Sequence, residues 1–270
     1  MTSEAWRLLP YHTGPSDLHI ALSDALTRCS TVPTLWWHAT DRPTLILGGG
    51  QSWEQADIEA CRRSGTRVLR RHAGGTAVFA AAGVLGLDVA LPAGHPLAGR
   101  DVVEAYRWLG EMWVRTLQAL GVEAHLVTIE EARMAGKKHP LNSAVRMACF
   151  GSLSPYEVTI EGRKLIGLAQ VRRRAGSLLQ SGLHLRFDPE SLAASLRCED
   201  RQALSDALRS AAIGLNEVGL GHLGEGEVMK AFGTSLRETL AIRIQPGDWS
   251  AAEWEHALDT RFGVIPHSGM

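Results

Sequence analysis

The sequence predicts a mixed α+β fold, and three observations carry that prediction. Met147 to Leu185 reads as two or three strands joined by tight turns: Tyr156, Val158 and Ile160 alternate with Glu157, Thr159 and Glu161, the period of a half-buried strand. Val102 to Leu120 holds the longest helical pattern, with Val103, Tyr106, Leu109, Trp113, Leu117 and Leu120 on or near one stripe and Gly121 at its end. Further helical patterns, Pro189 to Arg197 and Asp200 to Val218, follow the strands.

Taken in order, the chain predicts a first helix from Ser16 to about Cys29. Ser16-Asp17 is its expected cap, and Leu18, Ala21, Leu22, Ala25 and Leu26 form its apolar face. Thr34 to His38 and Thr44 to Gly48 are expected strands around a turn at Asp41-Arg42-Pro43. Gly48-Gly49-Gly50 then forms either a plain turn or a loop through which backbone amides approach a ligand. A helix over Ala56 to Ser64, stopped by Gly65, precedes strands at Val68 to Arg71 and Val84 to Leu91. Val122 to Val127 is an expected strand, Glu130 to Met134 a short helix, and 136–140 an ordinary surface loop. Leu178 to Phe187 completes the strands. The last part is expected as a helix from Glu225 to Thr239, a strand-like piece at Ala241 to Ile244 and a helix from about Ala251 to Thr260.

With 270 residues, 45% of them apolar, the chain is expected to build a sizeable core in one large domain or a domain with a small appendage. Its formal net charge of −1 argues against a nucleic-acid binder. The basic pairs Arg62-Arg63, Arg70-Arg71 and Lys137-Lys138 and the run Arg172-Arg173-Arg174 read first as solvated faces. The four cysteines, at 29, 61, 149 and 198, form no C-x-x-C pair, as expected of reduced thiols in a cytosolic protein. No apolar run approaches the roughly 20 residues of a membrane span, and the N-terminus lacks the pattern of a secretory signal. No metal-ligand cluster, Walker loop or dinucleotide fingerprint is present in the sequence, and the eight tryptophans read as core or interface.

Two stretches carry candidate chemistry. Glu161-Gly162 supplies a tight turn, so folding the hairpin brings Cys149, before it, near Lys164, just past the turn. A thiol beside an ammonium group is a recognised source of a nucleophilic thiolate. The alternatives from composition alone are a buried core cysteine and a solvated lysine. Cys29, Cys61 and Cys198 lie in helical patterns and read as structural. In Arg70 to Phe79, Gly74-Gly75 permits close backbone approach and Arg70 and Arg71 supply fixed positive charge. Such a loop suits a carboxylate, a phosphate or a phosphopantetheine arm, and a charged strand edge with a glycine turn fits the composition equally. His72 beside it reads as structural or solvated.

The run CF-x4-PYEV-x3-GRKL-x-G-x-AQ-x-R from Cys149 to Arg172 resembles the core signature of the lipoate and octanoate attachment enzymes. That family comprises the lipoate-protein ligases, the octanoyltransferases and, more distantly, the biotin-protein ligases. RRHAGGTAVF, Arg70 to Phe79, and HIALSDAL, His19 to Leu26, are similar to two further stretches of the family in the same order. The resemblance covers most of residues 16 to 218. It implies a twisted, largely antiparallel sheet with helices packed on it, a catalytic domain over 1–218, and a short helical segment over 219–270. The short tail is most similar to that of the cysteine-dependent octanoyltransferases, since the ATP-dependent ligases carry a larger accessory domain there.

The resemblance further implies Cys149 and Lys164 as catalytic, with Arg70, Arg71, Gly74, Gly75, Thr76, Ala77, Gly162, Gly167, Ala169 and Gln170 binding substrate. The expected activity is transfer of an octanoyl or lipoyl group from acyl carrier protein through Cys149 to a lysine of a lipoyl-domain protein such as glycine-cleavage H protein, in the cytoplasm and without cofactor. An ATP- and Mg-dependent lipoate-protein ligase and a non-catalytic binding paralogue remain as alternatives. The chain departs from the family at Ala80-Ala81, where a His-Asp pair is usual, and at Ser181, where octanoyltransferase relatives tend to have His. Leu168 replaces a small Ser, and the family's usual polar residues are missing from Val84 to Leu91.

Overall fold

The computed structural model describes residues 3–71, 73–137 and 144–261. In chain order, β1 (Ala5–Leu8) and β2 (His12–Gly14) lead to α1 (Ser16–Cys29), then β3 (Thr34–Thr40) and β4 (Thr44–Leu47). α2 (Ile58–Arg63), β5 (Arg67–Arg70), β6 (Val78–Ala80) and β7 (Val84–Pro92) follow. The middle of the chain forms α3 (Arg107–Ala119), β8 (His125–Leu126), α4 (Ile129–Ala135), β9 (Val158–Ile160), β10 (Arg163–Arg172) and β11 (Gly176–His184). It closes with α5 (Pro189–Ser195), α6 (Arg201–Ala211), α7 (Glu225–Leu240), β12 (Arg243–Pro246) and α8 (Ala251–Arg261).

The main sheet runs β12-β1-β3-β7-β11-β10-β9-β8, with β2 also on β3. From β3 to β8 every pairing is antiparallel, whereas β1 pairs in parallel with β12 and β3, as β2 does with β3. A second, three-stranded sheet has the order β5-β4-β6. This is the mixed α+β architecture that the sequence implies.

Period-two alternation on the main sheet separates two cores. Leu85, Leu87, Val89 and Leu91 of β7 point to one face, where Leu109, Met112, Trp113 and Leu117 of α3 and Val228, Phe232 and Leu236 of α7 cover them. On the other face, Trp36, Ala90 and Leu178 pack under Ala21, Leu22, Ala25 and Leu26 of α1 and Ala257 of α8. A third cluster joins the small sheet, through Leu45, Leu47, Val68 and Phe79, to α5 and α6 and to Phe150 beside Cys149.

Several local expectations are corrected. α1 is not capped by Ser16 or Asp17: its N-cap is Pro15 without a side-chain hydrogen bond, Ser16 instead bonds Thr40 at 2.9 Å, and Asp17 pairs with Arg67 at 3.0 Å. The 102–120 helix begins at Arg107, because the Asp101 carboxylate caps the amides of Val103 and Glu104 and a tight turn intervenes. The 200–218 helix ends at Ala211, and Cys198 lies in the α5–α6 connection. The half-buried pattern read for β9 also fails: Glu157 and Thr159 are buried together with Val158 and Ile160. The turn itself is as expected, with Glu161 at φ 51° and Gly162 at φ 76°, the pair of positive φ angles of a two-residue type I′ hairpin.

The C-terminal residues are tied into the main sheet. β12 lies at its edge, and α8 packs on α1 with Trp249 edge-on to Trp36 at 4.9 Å. A buried carboxylate fastens this contact: Glu253 takes both arms of the Arg7 guanidinium and the Ser250 amide at 2.8 Å. Burial alone would push the Glu253 carboxyl up, but the bonds from Arg7 and Ser250 outweigh that and hold it below the usual carboxylate range. A carboxyl depressed on folding stabilises above its unfolded pKa and loses that contribution as pH falls through the folded one. Glu253→Gln is therefore expected to destabilise the protein by about 2–3 kcal/mol near neutrality. In urea titrations the gap to wild type should close as pH falls below about 4. A gap that widens in acid would contradict this account.

Candidate active site

Cys149 opens a short turn, Cys149–Gly151, whose backbone is pinned to the small sheet. The amide of Ala77 donates to Met147 O at 2.9 Å, the amide of Cys149 donates to Ala77 O at 2.8 Å, and Ala77 pairs with Ala148 as a parallel bridge. The backbone at Cys149 is thus held by main-chain bonds to Ala77, with the Gln51 side chain also donating to Met147 O at 3.1 Å. Gly48 packs its Cα face against Gly75, where an added Cβ would stand 1.9 Å from the carbonyl oxygen. That contact packs Gly48, while Gly49 and Gly50 are exposed, and none of the three lines the cavity described below.

Lys164 reaches Cys149 from β10. A register shift between Lys164 and Ile166 in the β9–β10 pairing breaks the alternation, so Lys164, Leu165 and Ile166 are all buried. The Lys164 ammonium, 1% exposed, donates to Cys149 O at 2.8 Å and Ser152 O at 3.2 Å and stands 3.7 Å from Cys149 Sγ. It also meets the Glu157 carboxylate at 2.6 Å. Burial lowers its pKa, but the neighbouring Cys149 and Glu157 outweigh burial and hold it above the ordinary lysine range. Burial pushes the Glu157 carboxyl up, opposed by Lys164 and by the amides of Ser154 and Leu168 at 2.7 and 3.2 Å. Three donors converge on this one carboxyl group, so a buried, hydrogen-bonded Lys164–Glu157 pair backs the thiol.

In front of Cys149 lies a largely apolar cavity of about 210 Å³, between α1, the α1-facing side of β7, β10 and β11, and the small sheet. Ile20, Ile46, Val78, Ala80, Val171 and Leu178 are among its walls. A dry cavity of about 150 Å³ accepts benzene, so this one accepts a longer hydrocarbon chain. Lys164 is not one of the wall residues; it sits behind Cys149 and Phe150, 5.0 Å from the Phe150 ring centre.

The substrate-binding residues expected from the sequence divide. Arg71, Gly167 and Ala169 line the cavity with Cys149. The Arg71 guanidinium bonds Gly74 O at 3.1 Å and Thr76 O at 3.0 Å and so organises that loop; burial lowers its pKa, with Cys149 opposing. Gly74, Gly75, Thr76 and Ala77 act in the structure as the frame around Arg71 and Cys149. Arg70, by contrast, points away onto the Trp53 ring at 5.0 Å. Gly162 lies in the hairpin turn, and Gln170 lies against Val102 O and Arg172 outside the cavity. Of the departures, Ala80 and Leu168 are wall residues and Ser181 accepts from the Trp113 indole at 3.0 Å. The His72 reading and the 138–140 part of the loop lie outside the described residues.

A polar group in the cavity wall was missed. Asp88, on the strand read as lacking the usual polar residues, is 1% exposed and takes bonds from Ser23 and from Gln180, the latter at 2.8 Å. His38 and His19 adjoin it. Burial, with His38 and His12 adding to it, pushes His19 down to about 2, so it is neutral. A lone Asp inside the otherwise apolar run of Val84 to Leu91 was the available signal.

The comparisons with known proteins place this fold and cavity among the acyl-transferring enzymes of the lipoate and octanoate class. The chain belongs to the lipoyl protein ligase A/B catalytic-domain family, whose profile matches residues 17–236. It is 32% identical over 262 residues to octanoyltransferase LipM of Kyrpidia tusciae, covering 94% of each chain. To octanoyltransferase LipM of Moorella thermoacetica it is 33% identical over 265 residues, covering 94% of this chain and 93% of that one. Among solved structures, the bi-partite lipoate protein ligase of Thermoplasma acidophilum superimposes with a TM-score of 0.76 at 21% identity, covering 97% of this chain and 93% of that one. A lipoate-protein ligase A bound with ATP gives 0.75 at 20%, covering 97% and 95%. No helix among the described residues is long and apolar enough to cross a membrane.

Proposed function

We propose that the protein transfers an octanoyl or lipoyl group from a carrier-protein thioester to a lysine of a lipoyl-domain protein, through a thioester on Cys149. The observation that carries this reading is the Lys164 ammonium 3.7 Å from Cys149 Sγ at the wall of an apolar cavity. In the first step Cys149 Sγ attacks the donor thioester carbonyl, a new C–S bond forms, and the carrier thiolate leaves and takes up a proton. In the second the acceptor lysine amine attacks the acyl-cysteine, an amide forms, and the cysteine sulfur departs and recovers the proton shed by the amine. Lys164 holds its positive charge where negative charge gathers on sulfur in both steps, and Glu157 and the two carbonyls it bonds fix its position. Thioester exchange needs no nucleotide, so the reading requires no cofactor.

Glycine-cleavage H protein is the acceptor to test first. Relatives named octanoyltransferase LipM support the octanoyl group, and the Thermoplasma ligase studied with its E2 lipoyl domain supports a lipoyl-domain acceptor. The test is intact-mass spectrometry after mixing the protein with octanoyl-carrier protein in the absence of ATP, beside a Cys149→Ala control. The expected result is a hydroxylamine-labile octanoyl adduct on the wild type alone. An unmodified wild type that instead releases pyrophosphate from lipoate and ATP would replace this reading with the ATP-dependent ligase.

A further inference from the structure

On the carrier-thioester reading proposed above, on which the site assigned here rests, the cavity must hold more than an acyl chain. Its walls follow β10 from Gly167, which abuts Lys164 and Phe150, through Ala169 and Val171 to Arg173. Alternate residues of a strand share a face, and six residues at about 3.3 Å each span about 20 Å. Asp24 and Thr27 of α1 flank the far end. An extended eight-carbon chain spans only roughly 9 Å. The row Gly167, Gly182 and Gly86, which crosses three strands in the cavity wall, gives it a course of its own. The stretch along β10 is left for another part of the donor.

That part is the arm bearing the thioester. From sulfur to phosphorus a phosphopantetheine arm has about thirteen bonds, and at about 1.2 Å of projected length each it spans about 15 Å. Its phosphodiester then falls within reach of the Arg173 side chain. Positive charge is in surplus there. The Asp24 carboxylate takes bonds from Arg28 at 2.7 Å and His256 at 2.8 Å, whereas Arg173 Nη2 stands 3.7 Å from it, beyond hydrogen-bond distance. Two guanidinium groups thus share one carboxylate. Arg174, exposed, adds a third in the turn that Arg173 and Gly176 close. Guanidinium forks pair with phosphate oxygens. The other arginines near the cavity are engaged. Arg172 is spent on the carbonyls of Ala98, Gly99, Arg100 and Asp101, and Arg71, close to Cys149, on those of Gly74 and Thr76.

We propose that Arg173, with Arg28 and Arg174 beside it, binds the phosphodiester of the donor's phosphopantetheine arm, so that the carrier protein docks over the β10–β11 turn and the end of α1. The acyl chain and the arm then take two branches of one cavity that meet at Cys149. The test uses the octanoyl amides of phosphopantetheine and of pantetheine, which fill the site without reacting, titrated calorimetrically into the wild-type protein at about 0.15 M salt. The phosphorylated amide is expected to bind at least about tenfold more tightly, the scale of a charge-assisted pair. Arg173→Ala is expected to bring the two within about twofold of each other. A carrier protein loaded with the same amide is expected to bind at least as tightly as the phosphorylated amide alone. Equal binding of the two amides by the wild type, no binding of either, or an advantage that survives Arg173→Ala overturns the inference. Tighter binding of the coenzyme A amide than of the loaded carrier overturns the carrier as the docked partner. The wild-type ratio decides even if the variant does not fold. The amides form no bond to Cys149, so a failure here leaves the thioester route standing, and a failure of the mass-spectrometric test leaves these ratios measurable.

Discussion

Replacing Cys149 with serine is expected to slow transfer to a lipoyl domain at least about a thousandfold, with the melting temperature unchanged within a few degrees. The size of the loss follows from the chemistry. A hydroxyl at neutral pH is un-ionised and is a far weaker nucleophile than sulfur, and nothing bonded to it here is a free base: Lys164 is charged and committed to Glu157. The unchanged stability follows from the architecture. The Cys149 position is fixed by the Ala77 amide and carbonyl, and those bonds survive any side chain of similar size. Rates from discontinuous mass spectrometry and melting curves on the same samples check both halves. Transfer retained within tenfold in Cys149→Ser would remove the covalent route.

The second large effect is expected at Lys164. Lys164→Met leaves the Glu157 carboxylate buried without its cation, and breaking a buried pair from one side costs about 3–5 kcal/mol. At roughly 2–4 °C per kcal/mol for a chain of this size, the melting temperature should fall by about 6–20 °C. Transfer should fall at least about a hundredfold, the usual cost of deleting a preorganised charge at developing negative charge. The two losses separate in the double variant Lys164→Met/Glu157→Gln. With both charges gone, most of the stability should return while transfer stays low. If transfer returned together with stability, Lys164 would be a structural lysine only.

How far the sequence reached is clearest at this pair. The turn at Glu161-Gly162, and with it the approach of Lys164 to Cys149, was legible because it depends on neighbouring residues with distinct φ preferences. The burial of Glu157 was not, because the face opposite Val158 and Ile160 is covered as well, and there Glu157 meets Lys164 through tertiary packing. Which of Arg70 and Arg71, or of Ala169 and Gln170, meets the cavity depends on how the strands pack, which the local sequence does not encode. The structure chooses Arg71 and Ala169. The polar group of Asp88, His38 and His19 was hidden for another reason: the lone Asp88 in an apolar strand marks one member, but β7, β3 and α1 meet only through tertiary packing. The same holds for the tail, whose strand β12 finds its partner at the opposite end of the chain.

The cavity lies where the large sheet and its helix α1 face the small sheet, and Cys149 and Phe150 belong to the small sheet's hydrophobic cluster. An acyl chain covalently held by Cys149 therefore fills the space between two separately built parts of the molecule. On the proposed route that chain makes apolar contacts with both parts at once. On that route the protein is expected to resist opening more with the acyl chain in place than after its delivery, and each turnover would be a cycle of tightening and release.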